Sequence, residues 1–135
     1  MKRENQILGA AGEDLAAKFL EQKGYRILSR NWKCQFGELD IVALKAEGKI
    51  FRKAKNVVFV EVKTIDMADA KFIGQAEQNV NYFKQQHLVR SAQSYLKANK
   101  IGLEIPWQID VIAIEYDRRF SNHNIRHLER AVWQS

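Results

Sequence analysis

The chain has 135 residues, 46% hydrophobic and 28% charged, with a formal net charge of +6 and one cysteine. This composition is typical of one soluble globular domain, and it excludes a disordered chain, a disulfide framework and a bilayer-spanning segment. We therefore expect one cytoplasmic domain over residues 1–135, with its core at about residues 5–116, no membrane association and, because of its charge, nucleic acid as a partner.

The first half of the chain predicts a helix and then two strands. Asn5–Lys23 has apolar residues at helical spacing, and Gly24 follows it as a stop signal. Tyr25–Lys33 predicts a strand, Phe36–Gly37 a tight turn, and Glu38–Leu44 a second strand.

The second half begins with a polar stretch, Lys45–Asn56, which predicts a hairpin loop. Val57–Thr64 is rich in β-branched residues and nearly continuously apolar, as expected of a central strand covered on both faces. A helix is predicted over about Glu77–Asn99, with Phe83 in its apolar stripe, and a further strand over Trp107–Tyr116.

The last element, Ile125–Trp133, follows a polar loop, and its type stays open. The predicted order is therefore α-β-β-β-α-β, an α/β fold with a mixed sheet flanked by helices. His123 and His127 have the spacing of a helical metal pair, but no third ligand is near in sequence, so a surface pair is expected.

Two charged pairs lie inside the most apolar predicted strands. Glu38 and Asp40 are two residues apart, as are Glu61 and Lys63, so each pair shares one face of its strand. If the two strands are hairpin partners, all four side chains converge. Carboxylates buried side by side need a positive charge between them, and Mg²⁺ prefers such oxygen ligands.

The alternative is that both pairs face solvent and serve only solubility. It is weakened because both fall within strands that are otherwise apolar and both face the same way. A metal site with Lys63 near the attacked phosphate is the sharper hypothesis.

The motifs also carry a resemblance. Asp40 followed on the next predicted strand by Glu61-Val62-Lys63 resembles the Asp…(Asp/Glu)-x-Lys core of the restriction-endonuclease-like superfamily, which includes archaeal Holliday-junction resolvases. More closely, the chain resembles the YraN-like family of bacterial proteins over about residues 7–116. The stretches that match, in chain order, are Gly9-x-x-Gly12-Glu13, Gly24-Tyr25, Gly37-Glu38-Leu39-Asp40-Ile41-Val42, Val58-Phe59-Val60-Glu61-Val62-Lys63-Thr64, Lys84 and Asp110-Val111.

The resemblance implies a restriction-endonuclease-like three-layer sandwich and roles for single residues. Asp40 and Glu61 would hold Mg²⁺ or Mn²⁺, and Lys63 would be the catalytic lysine. Glu13 is either a further ligand or an exposed carboxylate favoured by the helix dipole, and Glu38 is either a ligand or a turn residue.

Basic residues supply the expected contacts to nucleic acid. Lys84 on the second helix either contacts phosphate or is merely solvated, and Arg30 and Lys33 lie on the first predicted strand. Two positions depart from the YraN-like pattern, because Ile65 and Gln108 stand where arginines are usual.

The sequence thus predicts a metal-dependent endonuclease or resolvase-like enzyme acting on DNA, branched or linear, and a homodimer is expected from the resolvases. The first alternative is a nucleic-acid-binding protein with a vestigial site, which the two missing arginines favour. The second is a small-molecule hydrolase that uses the same metal site.

Overall fold

In the computed structural model of the chain, the residues described are 2–47, 54–67, 82–117 and 122–132. The elements are α1 (Lys2–Gln22), β1 (Arg26–Cys34), β2 (Gly37–Glu47), β3 (Ala54–Asp66), α2 (Tyr82–Ala98), β4 (Trp107–Asp117) and β5 (Asn122–Val132). The five strands form one sheet in the order β1-β2-β3-β4-β5. Neighbouring strands are antiparallel except β3 and β4, which are parallel, and α2 lies in the connection between them, as a parallel pair requires.

The two helices bury opposite faces of the sheet. Ala16 and Leu20 of α1 pack on one face, in a cluster of residues from β2, β3 and β4. Leu88, Ala92 and Tyr95 of α2 pack on the other face, in a cluster that also includes residues of β2, β3 and β4. The fold is therefore α/β, with a mixed sheet between two helices, as the sequence predicts.

Gly24 ends α1 in the way its sequence position predicts. Its φ of 94° lies in the left-handed region, where a side chain is disfavoured. Its N–H donates to the Glu21 carbonyl at 3.0 Å, and the Tyr25 N–H donates to the Leu20 carbonyl at 3.0 Å. These two bonds are the Schellman pattern, which satisfies the last carbonyls of a helix and turns the chain into β1.

The strand predictions locate β2 and β3 correctly but make both strands too short at their ends. Val57–Thr64 lies within the central strand β3, between β2 and β4. The loop predicted over Lys45–Asn56 is wrong at both ends, because β2 continues to Glu47, β3 begins at Ala54, and Lys45 pairs with Asn56. Backbone pairing satisfies the main chain of polar residues as well as that of apolar ones, so polarity alone does not end a strand.

The last element is the strand β5, which pairs antiparallel with β4 and completes the sheet. It adds a fifth strand to the predicted order. In α2 the predicted stripe is confirmed at Leu88, Ala92 and Tyr95, whereas Phe83 is 76% exposed. The predicted start of this helix, at residues 77–81, lies outside the described residues. Neither described helix combines the length and apolar character needed to cross a membrane, and the cytoplasmic location stays a prediction.

Candidate functional site

Asp40 and Glu61 lie where the ladder between β2 and β3 ends. The register pairs Ile41 with Val60 as its last step, so the next residues along the two strands are Asp40 and Glu61. Beyond this last pair, the Val62 N–H donates to a side chain of β2 instead of its backbone, since Asp40 Oδ2 accepts it at 2.8 Å. The predicted hairpin partnership of the two strands is confirmed, and it brings the two carboxylates to one place.

The strands around Asp40 also change faces, which the alternation rule does not foresee. Arg30 of β1 reaches α1, whereas Trp32, two residues on, packs against Tyr95 of α2. In the same way, Ile41 belongs to the core beneath α1 and Leu39 to the core beneath α2.

Asn31 lies at this change of face, between the register pairs on its two sides, and it has a left-handed φ of 54°. A left-handed residue within a strand turns the following side chains over, because it replaces one extended step of the backbone. Residues two apart therefore do not share a face here, and Glu38 and Asp40 line different cavities.

A cleft of about 270 Å³ opens beside Asp40 and Glu61. Its other walls are the first half of α1 and the neighbouring end of β3, and it is lined by Leu8, Gly9, Glu13, Asp40, Glu61, Val62 and Thr64. Three of the four carboxylates that the sequence nominates thus meet at one opening. The fourth, Glu38, lines a separate, smaller cavity together with Lys84 and His87.

Gly12 lets α1 approach the sheet closely enough to form this wall. A Cβ at Gly12 would overlap the side chain of Thr64. Only a residue without a side chain fits between the helix and β3 at that contact. The close crossing places the next residue, Glu13, at the cleft.

Glu61 is a buried carboxylate with an uneven set of partners. It is 4% exposed, and its Oε1 lies 3.6 Å from Lys63 Nζ and 3.4 Å from Lys84 Nζ. Its Oε2 is buried and has no hydrogen-bond partner among the described residues. A buried carboxylate oxygen without a partner is costly, because its hydration has been lost and nothing replaces it.

Burial, and next the charge of Glu61, raise the pKa of Asp40 to about 7. The Val62 N–H and Lys84 act in the opposite direction. The negative charge of Glu61 thus disfavours the ionised form of Asp40.

Glu13 is held at the side of the cleft. Burial raises its pKa, against the effects of Asn31 and Arg30. With the Asn31 amide turned to satisfy its surroundings, its nitrogen donates to Glu13 at 3.0 Å and to Glu38 at 2.8 Å. Asn31 therefore bridges the two outer carboxylates.

The three basic residues nominated for nucleic acid differ in their surroundings. Lys84 contacts Glu61 directly. Arg30 is engaged with α1, 2.8 Å from Asp14 and 3.8 Å from Glu13. Lys33 is exposed on β1, next to Glu38 in the register of the β1–β2 hairpin.

A second polar cluster, around the buried Asp110, escaped the sequence-based prediction. Asp110 is fully buried, and its Oδ1 accepts from Gln108 Nε2 at 2.8 Å and from the Arg130 N–H at 2.9 Å. Its Oδ2 lies 2.7 Å from His127 Nε2, and His127 Nδ1 lies 2.9 Å from Lys23 Nζ. Since an ammonium can only donate, Nδ1 is the acceptor and Nε2 carries the proton given to Asp110.

The expectation that His127 belongs to a surface pair is therefore wrong, because its side chain is 4% exposed. Gln108, one of the two positions that depart from the YraN-like pattern, serves this cluster. Asp110 pairs with Val60, the residue before Glu61, so the cluster lies on β4 directly beside this part of β3. Gln108 itself contacts Asn56 and Asp110 and does not line the cleft.

Asp110, His127 and Glu129 are also the three acidic or histidine side chains in the described ranges whose ligand atoms all lie within 4.8 Å of one another. The carboxylates of the cleft are not gathered that closely. In the Asp110 cluster, Asp110 and His127 have protein partners on both of their side-chain polar atoms, and Glu129 Oε1 lies 3.0 Å from Lys45 Nζ. In the cleft, Glu61 Oε2 is a buried carboxylate oxygen that has no hydrogen-bond partner among the described residues.

Residues 12–114 match the model of the uncharacterised protein family UPF0102, a stretch that contains Glu13, Asp40, Glu61, Lys63 and Asp110. The chain belongs to the UPF0102 family. It is 38% identical to the UPF0102 protein of Roseiflexus castenholzii over 125 residues, which is 93% of this chain and 92% of the relative.

Two further UPF0102 relatives support the same assignment. The protein of Alkaliphilus oremlandii is 38% identical over 127 residues, covering 94% of this chain and 98% of its own length. That of Geobacter sulfurreducens is 44% identical over 110 residues, covering 82% and 77%. The YraN-like resemblance is confirmed as membership of UPF0102, a family whose description names no activity.

Proposed function

We propose that this chain is a metal-dependent nuclease that hydrolyses nucleic-acid phosphodiesters at the cleft between α1 and the β2–β3 pair. The observation that carries the proposal is the buried, unpartnered Oε2 of Glu61 beside the carboxylate of Asp40. The restriction-endonuclease-like superfamily, whose three-layer sandwich we propose for this fold, uses the same Asp…Glu-x-Lys order of residues.

Asp40 and Glu61 fit a hard divalent cation. Both offer carboxylate oxygens in a dry place, where a second carboxylate is unfavourable unless a positive charge offsets it. Mg²⁺ or Mn²⁺ takes such ligands and completes its shell with water. When bound, the cation supplies a Lewis acid for the phosphate oxygens and lowers the pKa of a bound water.

Lys63 is the proposed catalytic lysine. Its ammonium lies 3.6 Å from Glu61 Oε1 on the same face of β3, so it is held beside the proposed metal ligands. A cation at this place stabilises the negative charge that develops on a phosphate during attack, and it orients the water that attacks. Lys84, which reaches Glu61 from α2, would bind a neighbouring phosphate.

Glu13 is a better candidate than Glu38 for a further ligand. Glu13 lines the cleft and is partly desolvated, whereas Glu38 faces the separate cavity beside Lys84. Asn31 and Arg30 hold Glu13 at the edge, so we propose it as an outer residue of the site.

The alternative is a nucleic-acid-binding protein whose site is vestigial. The ammonium groups of Lys63 and Lys84 already compensate the charge on Glu61 Oε1 without a metal ion. A protein that had lost catalysis would keep this arrangement. The orphaned Oε2 favours the nuclease. DNA as substrate and a homodimeric state stay part of the proposal.

The test is a cleavage assay on linear, supercoiled and branched DNA with Mg²⁺, with Mn²⁺ and with EDTA. We expect cleavage that EDTA abolishes and that Lys63→Ala lowers by about 100-fold or more, the usual cost of removing one group that stabilises developing charge. Lys97→Ala, in the last turn of α2, is the matched control and should leave the rate unchanged.

Cleavage that persists at the wild-type rate in Lys63→Ala would remove that residue from the proposal. DNA binding in EDTA without cleavage in either metal, on any of the three substrates, would overturn the nuclease and favour the binding protein.

A further inference from the structure

The first turn of α2 presents two large aromatic side chains to solvent. Tyr82 is 66% exposed and Phe83 76% exposed, and their rings form an edge-to-face pair with centroids 5.8 Å apart. Single exposed apolar side chains are ordinary on protein surfaces, but two adjacent aromatic rings form a patch. The residue that follows them is Lys84, whose ammonium lies 3.4 Å from Glu61.

The same exposed side of α2 continues with basic residues. Phe83, His87 and Arg90 have the helical spacing that puts side chains on one face. The Arg90 guanidinium lies over the ring of Phe36, 5.7 Å from its centroid. Phe36 and His87 also line the small cavity that contains Lys84. We call this surface the aromatic–basic strip, and its members are Phe36, Tyr82, Phe83, Lys84, His87 and Arg90.

The aromatic–basic strip begins at the proposed catalytic cleft and runs away from it along α2. The seven residue steps of helix from Phe83 to Arg90 span about 10 Å, which is the length of about three stacked nucleotides at 3.4 Å each. Two aromatic rings, Tyr82 and Phe83, lie at the start of this length, and the basic side chains of Lys84, His87 and Arg90 follow them. Unpaired bases recognise aromatic faces and the phosphates between them recognise cations, so the strip is complementary to a single strand in both respects.

We propose that the aromatic–basic strip binds single-stranded nucleic acid next to the cleft, with unpaired bases on Tyr82 and Phe83 and phosphates on Lys84 and Arg90. The inference rests on the proposed function, and it names the class of substrate as one with an unpaired segment beside the bond that is cut. A duplex offers only its groove edges and backbone, because its bases stack on one another. Exposed rings therefore gain little from a duplex.

The test is fluorescence anisotropy with a labelled single strand and with a blunt duplex of the same sequence, in EDTA so that neither is cut. We expect the wild type to bind the single strand more tightly. Phe83→Ala should weaken that binding by about 5-fold or more, the usual effect of losing one stacking ring, and change duplex binding by less than about 2-fold. Phe83→Trp keeps a stacking face and should retain the affinity.

Leu103→Ala is the matched control, because Leu103 is also a fully exposed apolar side chain but lies outside the strip. It should leave both affinities unchanged. Circular dichroism melts of all variants check the fold, and since Phe83 is exposed we expect no loss of stability.

Equal weakening of single-strand and duplex binding by Phe83→Ala, or no weakening of either, overturns the inference. So does a wild-type dimer that becomes monomeric in Phe83→Ala while single-strand binding is unchanged, since the aromatic rings would then serve self-association. Asp40→Asn separates this inference from the proposed function. This substitution should abolish cleavage and leave single-strand binding to the strip intact. If the wild type cleaves duplex but does not bind single strands more tightly, the inference about the strip is overturned and the proposed nuclease function is not.

Discussion

At the scale of single residues, the cleft holds carboxylates whose neighbours only partly compensate their burial. Asp40 receives one backbone N–H, and Glu61 receives two ammonium groups on one oxygen and nothing on the other. Such groups cost stability, and folded proteins retain them mostly where a site needs them. Because of this cost, the proposed metal site can be tested by measuring protein stability, without an activity assay.

The pH dependence of stability should report Asp40 in the metal-free protein. Its pKa is about 7 in the folded chain, above its usual value of 3.8. Between these two values the folded state binds the proton and the unfolded state does not. Its contribution is therefore most favourable below about pH 4 and is lost as the pH rises to about 7. We expect thermal melts in EDTA to show the melting temperature of the wild type falling over this window relative to that of Asp40→Asn.

Asn is the suitable replacement because its side-chain oxygen can still accept the Val62 N–H. Saturating Mg²⁺ should reduce the difference between the two proteins, since a cation favours the ionised carboxylate. Parallel melting curves for wild type and Asp40→Asn across pH 4 to 7 in EDTA would contradict the assignment of a raised pKa.

At the scale of elements, the cleft depends on how closely α1 crosses β3. Gly12 and Gly9 lie on the same helix, but a side chain at Gly12 meets Thr64, whereas one at Gly9 meets nothing within 4 Å. Gly12→Ala should therefore destabilise the fold by about 1–3 kcal/mol, as overpacking does. Gly9→Ala should stabilise it by about 0.5–1 kcal/mol, because glycine within a helix is unfavourable.

Chemical denaturation measures the free energy of unfolding of both variants. Because both change glycine to alanine in α1, Gly9→Ala is the control for Gly12→Ala. Equal stability changes in Gly12→Ala and Gly9→Ala would show that the close crossing is not required.

The elements also show what the sequence could and could not predict. The sequence located β3 because a central strand covered on both faces is nearly continuously apolar. It located the buried stripe of α2 because one face of that helix is buried. Periodicity did not predict that Leu39 and Ile41 lie on opposite faces of the sheet, next to the left-handed Asn31, because strand alternation assumes an extended backbone at every residue. It failed at Phe83 because aromatic residues at helical spacing have the same pattern whether they are covered or exposed.

At the scale of the whole molecule, β5 pairs with β4 and is also joined to it by a buried polar contact. Asp110 of β4 accepts from His127 and from the Arg130 backbone, both on β5. The partners are distant in sequence from each other and from Lys23, so no local motif could have revealed them. The paired positions became visible only once the strand order was known.

Asp110→Asn should destabilise the protein by about 1–3 kcal/mol, because its new amide group would face the His127 N–H and leave a buried donor without an acceptor. Glu129→Gln is the matched control. Its side chain is 48% exposed in its pair with Lys45, so the loss should stay below about 1 kcal/mol. Urea denaturation measures both, and the reverse order of the two effects would contradict the buried role of Asp110.

Among the described residues, the cleft and the Asp110–His127–Glu129 cluster could each attract a cation, and one titration distinguishes them. Calorimetric titration of the metal-free protein with Mn²⁺ should show one site per chain. That site should be lost in Asp40→Asn and in Glu61→Gln and retained in His127→Ala. Cation binding that survives both cleft substitutions and disappears in His127→Ala would contradict the account and place the metal in the Asp110–His127–Glu129 cluster.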